Sequence, residues 1–203
     1  MRPRPRIDVS ALETMGFGPR STLWWGVVSM LAIETTMFAL LFATYYYLRG
    51  NESIWPPPGG NPPFVPATLC LALLLLSVPP MAIMHRESGN ERNLKKMRFW
   101  LVVGMAIGLL ALGARAAEIA MLPFRWDHHA YGSIVWVTIG MHAIHLLTSG
   151  GENILFAVLL FKGPVEDRHL VDLRLNAMYW FVMVVWDVMV YALIYLDPGV
   201  LRS

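Results

Sequence analysis

Five long apolar runs dominate this chain of 203 residues, at approximately 23–48, 67–84, 99–122, 131–161 and 175–196. Each reaches or approaches the ~20 residues that carry an α-helix across ~30 Å of hydrocarbon. Inside lipid every backbone N–H and C=O must find an internal partner, so the chain has to be helical there or form a closed barrel. The runs are too long and too continuously apolar for the two-residue alternation of a membrane barrel. With 56% of residues hydrophobic and only 15% charged, the reading is an all-α integral membrane protein, a bundle of five transmembrane helices. Residues 1–21 read as a basic tail and 22–203 as a single domain. The run around 131–161 is long enough to tilt or to project beyond the bilayer.

Basic residues set the expected orientation. Twelve of the sixteen Lys and Arg fall in the first tail and in the connections after the second and fourth runs. The positive-inside rule therefore predicts a cytoplasmic N-terminus and an external C-terminus. The tail carries arginines and prolines without an apolar core and small-residue cleavage site, so the first span is expected to act as its own insertion signal. Trp24, Trp25 and Trp100 then belong to an inner aromatic belt, and Tyr45 to Tyr47, Trp55, Trp126 and Tyr195 to an outer one. The single Cys70 excludes an internal disulfide and any paired-thiolate metal centre. The connection from His85 to Arg98 reads as a solvated basic loop that serves topology and anionic headgroups rather than nucleic acid.

Two proline clusters carry local expectations. The segment 55–66, with Trp55 followed by six prolines in all, predicts a stiff extended strap leading into the second helix. Pro79-Pro80 is expected to break or kink that helix near its inner end.

Polar residues inside the runs carry the chemical information, because a carboxylate in hydrocarbon is costly unless protonated, paired or hydrated. Glu34 stands in the first run. Arg115 and Glu118 are three apart, so they share a helix face. Asp187 in the last run is a third carboxylate, and charge balance predicts that it pairs with Arg115 across helices. His142, His145, Ser149 and Glu152 recur at offsets of 0, 3, 7 and 10 and predict one polar stripe facing protein, water or headgroups. The remaining histidines lie in loops or at interfaces, so no second histidine-bearing span faces the first to complete a haem or metal ligand set. No catalytic residue, metal site or cofactor site is expected in this chain. The Asp127-His128-His129 cluster reads as a solvated turn.

In chain order these residues resemble subunit III of the haem-copper respiratory oxidases. Glu34 ahead of a Phe-rich run ending in Tyr45-Tyr46-Tyr47, the loop Trp55-Pro56-Pro57, Glu118, Tyr131-Gly132-Ser133 and Gly140-Met141-His142-Ala143-Ile144-His145 are similar to motifs of that family. The last helix departs from it. The family's Tyr-Trp-His-Phe-Val-Asp-Val-Val-Trp becomes Met178-Tyr179-Trp180-Phe181-Val182-Met183-Val184-Val185-Trp186, with Trp180 and Met183 at the histidine and aspartate. Asp187 lies one turn beyond Met183, and Arg115 and Glu152 are not family hallmarks.

Long members of the family have seven helices, the first two forming one wing of a phospholipid-holding cleft, so this chain resembles a five-helix form. The resemblance implies an accessory subunit of a proton-pumping terminal oxidase in a bacterial inner membrane. It binds phospholipid, stabilises catalytic subunit I beside subunit II, and supports proton uptake, with Glu34 and Glu118 as its functional carboxylates. His142, His145, Trp55, Arg115 and Asp187 are the candidates for lipid or inter-helix contacts. Haem and copper belong to the partner subunits. The sequence leaves open a quinol oxidase subunit III, a related accessory protein of a nitric oxide reductase, and a small proton-coupled carrier. For the carrier, neither an internal repeat nor a broken helix pair is visible.

Overall fold

Each apolar run forms a helix, and each helix is longer than the run that seeds it. A computed structural model describes residues 16–91 and 93–197, so most of the expected basic tail, Arg92 and the last six residues lie outside the described residues. The helices are α1 (Thr22–Asn51), α2 (Phe64–Arg86), α3 (Leu94–Ala120), α4 (Ala130–Lys162) and α5 (Asp167–Tyr195). All five are long and apolar enough to cross a membrane, and there is no strand among the described residues.

Local chemistry accounts for the extra length. Pro66 sits in the first turn of α2, where no backbone donor is required. Asn93 starts α3 by accepting from the Lys96 amide at 3.2 Å. His129 Nδ1 does the same for α4, accepting from Gly132 N at 2.8 Å. A side chain at position 132 would place its Cβ 2.7 Å from the Arg125 carbonyl, so glycine is required there. Glu166 and His169 form a reciprocal capping box that begins α5 eight residues before its apolar run.

Three sequence expectations are refined. Of a break or a kink at Pro79 and Pro80, the break does not occur, and α2 continues to Arg86. The tight seat of α2 on α3 holds it together: at Gly104 an added Cβ would lie 2.8 Å from Met81 Sδ, so the two backbones meet closely there. The connection after α2 is not a solvated loop but a short π-helical turn, Glu87–Glu91. In it Glu87 and Ser88 are buried, and Glu87 Oε1 lies 3.4 Å from Lys96 Nζ. Nor is the proline strap extended throughout. Gly59 has φ +75°, and Gly60 N donates to the Pro57 carbonyl at 2.8 Å, the geometry of a type II turn with Pro58 and Gly59 at its centre.

The helices α2, α3, α4 and α5 form a ring in which α2 and α4 each touch both α3 and α5. The last two face one another across the diagonal, and long side chains fill the space between. α1 lies outside this ring against α4 and α5. Only Leu31, Phe38 and Tyr45, seven residues apart, are buried on it, so α1 packs by one narrow seam and leaves the rest of its surface free. At one end of the bundle Trp55 stands edge-on to Tyr45 and Tyr131, with ring centroids at 5.2 and 4.9 Å. Beside this cluster Arg49 Nη1 bonds Asp197 Oδ2 at 2.5 Å. Trp55, read as a contact residue, thus ties the strap to α1 and α4.

Candidate functional site

Polar side chains gather in two centres at successive turns of α4. The first fills the middle of the helix ring. Arg115 Nη1 on α3 bonds Glu118 Oε2 at 2.5 Å, and Nη2 bonds Asp187 Oδ1 on α5. Arg115 is 2% exposed, and Glu118 and Asp187 are wholly buried. Tyr195 OH donates to Glu118 Oε1 at 2.6 Å. His142 stands 3.5 Å from Asp187 Oδ1 through Nδ1, while its Nε2 faces the Met183 carbonyl at 3.3 Å. A carbonyl only accepts, so Nε2 carries hydrogen and Nδ1 is left toward the carboxylate. One cation, two carboxylates and a histidine thus cluster away from the surface, with Arg115 Nε, His142 Nδ1 and Asp187 Oδ2 buried and without a hydrogen-bond partner among the described residues. The arrangement locks α3 to α5.

The second centre lies at the seam between α1, α4 and α5. His145 Nδ1 bonds the Met141 carbonyl at 2.6 Å, which fixes hydrogen on Nδ1 and turns Nε2 toward Glu34 Oε1, 3.5 Å away. Tyr179 OH also reaches Glu34 Oε1 at 3.5 Å. Glu34 Oε2 is buried with no hydrogen-bond partner among the described residues. Phe38 stacks on Trp186 at 4.9 Å, and both rings lie 5.6 Å from His145. They form an apolar wall around it.

The expected stripe on α4 is thus two rows. His142 and Ser149 are fully buried, whereas His145 faces α1 and Glu152 is exposed. Glu34 and Glu118 belong to different centres. Trp180 and Met183, the departures in α5, are core residues. Trp180 Nε1 donates to Ser77 Oγ at 2.8 Å, and its ring occupies the space over Gly108, where a Cβ would come within 2.5 Å of Cη2. The Asp127-His128-His129 turn holds an Arg125–Asp127 pair at 3.1 Å and the α4 cap at His129. Among the described residues no group of three or more His, Cys, Asp and Glu is arranged to hold a metal.

Sequence reasoning missed four contributors. Tyr195, assigned to an aromatic belt, is buried on Glu118. Tyr179 reaches Glu34. Asn176 Nδ2 bonds Asn153 Oδ1 at 2.7 Å between α5 and α4. Arg49 pairs with Asp197, and helix parity was a usable signal there, since the ends of the first and fifth spans must share a side.

Tyr195→Phe removes one hydrogen bond to a buried carboxylate and is expected to cost about 1.5–3 kcal/mol. Unfolding in detergent measures it against Tyr47→Phe, at an exposed site. Equal midpoints for the two variants would contradict the buried Tyr195–Glu118 bond.

Comparison with known proteins places these residues in context. Residues 14–197 match the family model described as cytochrome c oxidase subunit III. The chain is similar to the cytochrome c oxidase subunit 3 of Thermostichus vulcanus, 27% identical over 177 residues, which covers 84% of this chain and 85% of that protein. It is 30% identical over 174 residues to that of Petromyzon marinus, covering 81% of this chain and 66% of the relative. With that of Chondrus crispus it shares 28% over 173 residues, covering 81% and 63%. The chain therefore spans less than two thirds of the length of the Petromyzon and Chondrus proteins.

Proposed function

The chain belongs to the cytochrome c oxidase subunit III family, and from that membership we propose that it is an accessory subunit of a proton-pumping haem-copper terminal oxidase in aerobic respiration. It is not the catalytic subunit. It binds phospholipid, stabilises subunit I beside subunit II, and supports proton uptake, in a bacterial inner membrane with its N-terminus cytoplasmic and its C-terminus outside.

The observation that carries this reading is the contrast between the two centres. Arg115, Glu118 and Asp187 are sealed in the ring and give rigidity. Glu34, with a side chain 17% exposed, sits with His145 at the edge of α1, whose outer surface is free for lipid or a partner. Haem and copper fall to the partner subunits in this reading. His142 and His145 belong to separate centres, and among the described residues no further histidine or cysteine converges with either to complete a ligand set.

Variants of Glu34 in the purified oxidase test the reading. In Glu34→Gln the atom that replaces Oε1 is either an amide oxygen accepting from Tyr179 OH or an amide nitrogen donating to His145 Nε2, whereas Glu34→Ala removes the polar group from both. The expected result is that Gln sustains oxygen consumption and turnover lifetime like wild type, while Ala shortens the lifetime. Failure of Gln as severe as that of Ala would assign proton relay to Glu34 instead of support. Wild-type behaviour of both in rate, pumping and lifetime would remove Glu34 from the function.

A further inference from the structure

At the end of the bundle opposite Trp55, the start of the described chain, the end of α2 and the first turns of α5 converge on one cation, Arg174. Its guanidinium carbon lies 3.8 Å from the centroid of the Phe17 ring. On another side Gly89 makes room for it: a Cβ there would come within 3.2 Å of Cζ and 3.4 Å of Nε. His85 stands edge-on to the same Phe17 ring, with centroids 5.5 Å apart, and to Phe181 at 6.4 Å. Arg174 Nε and His85 Nδ1 are buried without a hydrogen-bond partner among the described residues. The arginine itself remains partly exposed.

A guanidinium held against a ring is oriented, and cation–π attraction offsets part of its desolvation, but its donors are not satisfied by it. No carboxylate among the described residues is within ion-pair distance of Arg174. Two acids of this end have cations of their own: Glu87 faces Lys96 at 3.4 Å, and Glu166 faces Arg168 at 2.8 Å. Among the described residues the cation is thus left without an anion.

Its depth indicates which anion fits. The apolar run of α5 begins at Leu175, so Arg174 stands where the helix leaves hydrocarbon for the headgroup layer. We propose that Arg174, clamped by Phe17 and Gly89 and flanked by His85, is a binding site for the phosphate of an anionic phospholipid headgroup. A phosphodiester presents two oxygens that match the guanidinium fork. Arg86, exposed at the end of α2, adds to the positive field that draws anionic lipid to such a pocket between helices. The site rests on the phospholipid binding of the proposed function and deepens it, naming the residues and the headgroup phosphate at this end of the bundle.

The test compares the complex purified with this chain in mild detergent as wild type, Arg174→Gln, Arg174→Lys and Arg168→Gln. Native mass spectrometry reads retained lipid, and delipidated samples are titrated with phosphatidylglycerol, phosphatidylcholine or inorganic phosphate. Wild type is expected to retain one more phosphatidylglycerol per chain than Arg174→Gln, with binding weakened at least about fivefold, the factor for losing one cation near an anionic surface. Arg174→Lys, which keeps the charge and loses the fork, is expected to fall between them. Arg168→Gln, an exposed charge control, should match wild type. Should Arg174→Gln not assemble, the gap between wild type and Arg174→Lys decides alone.

Equal phosphatidylglycerol retention in wild type and both Arg174 variants would overturn the proposal. So would an equal loss in Arg168→Gln, which would mark a diffuse field. Displacement of phosphatidylglycerol by inorganic phosphate would show a free-anion site instead. Loss of a partner polypeptide from Arg174→Gln with lipid unchanged would assign Arg174 to a partner's carboxylate and likewise overturn it.

Discussion

Arg115→Leu should destabilise the fold by about 3–5 kcal/mol, because it strands Glu118 and Asp187 as buried carboxylates with their shared cation gone. Little relaxation is available to them. Both lie inside the ring, where Tyr195 OH bonds Glu118 and His142 stands beside Asp187. The loss is read as a lower unfolding midpoint in detergent and a lower yield of assembled complex. Replacing all three, as Arg115→Leu with Glu118→Gln and Asp187→Leu, should recover part of it, since apolar substitutes for a buried ion group are often neutral or stabilising. Arg125→Leu, at an exposed pair, is the control. An unfolding midpoint for Arg115→Leu equal to that of the control would contradict a buried, neutralising arginine.

Trp180→Ala is expected to cost about 3 kcal/mol, toward the lower end for a large-to-small change of a buried aromatic side chain. Lipid tails are as apolar as the bundle core, so transfer contributes little and the lost contacts and cavity contribute most. The indole is 1% exposed, lies over Gly108, and satisfies Ser77 through Nε1. Gly108→Leu alone should destabilise by about 1–3 kcal/mol through overpacking. Combined with Trp180→Ala it should fill part of the cavity, so the double variant is more stable than the sum of the two losses. Strict additivity of the two unfolding shifts would show that the ring and the glycine are not packed together.

Membrane crossing was legible because apolar length alone demands helices, but helix ends were not. Capping groups such as Asn93, His129 and the Glu166–His169 box carry the helices past the hydrocarbon, where periodicity and hydropathy say nothing. The pair Arg115–Glu118 could be read from a spacing of three. Its third member, Asp187, followed only from the need to balance charge, and Tyr195 could not follow at all, since sequence does not give a helix's rotation at its end.

The α4 stripe shows the same limit. At about 100° per residue, seven positions return to within ~20° of the start, but three turn it by ~60° and ten by ~80°. His142 and Ser149 consequently share an inner row, while His145 and Glu152 turn toward α1 and the outside. In the strap, Pro58-Gly59 carried a type II turn signal that the surrounding prolines obscured. The departures at Trp180 and Met183 removed two familiar polar groups from α5. The structure places core packing there and a carboxylate at Asp187, one turn away.

The central claim is that this chain is a subunit of a haem-copper oxidase and holds no redox centre itself. An affinity tag on the chain, mild-detergent purification and haem and copper analysis of each copurifying polypeptide test it most directly. The predicted result is a stoichiometric complex that consumes oxygen, in which haem and copper reside in the partner polypeptides and none stays with this chain after they are stripped away. A folded chain that purifies without any haem-bearing partner, or that retains haem or copper at one per chain by itself, would contradict the account.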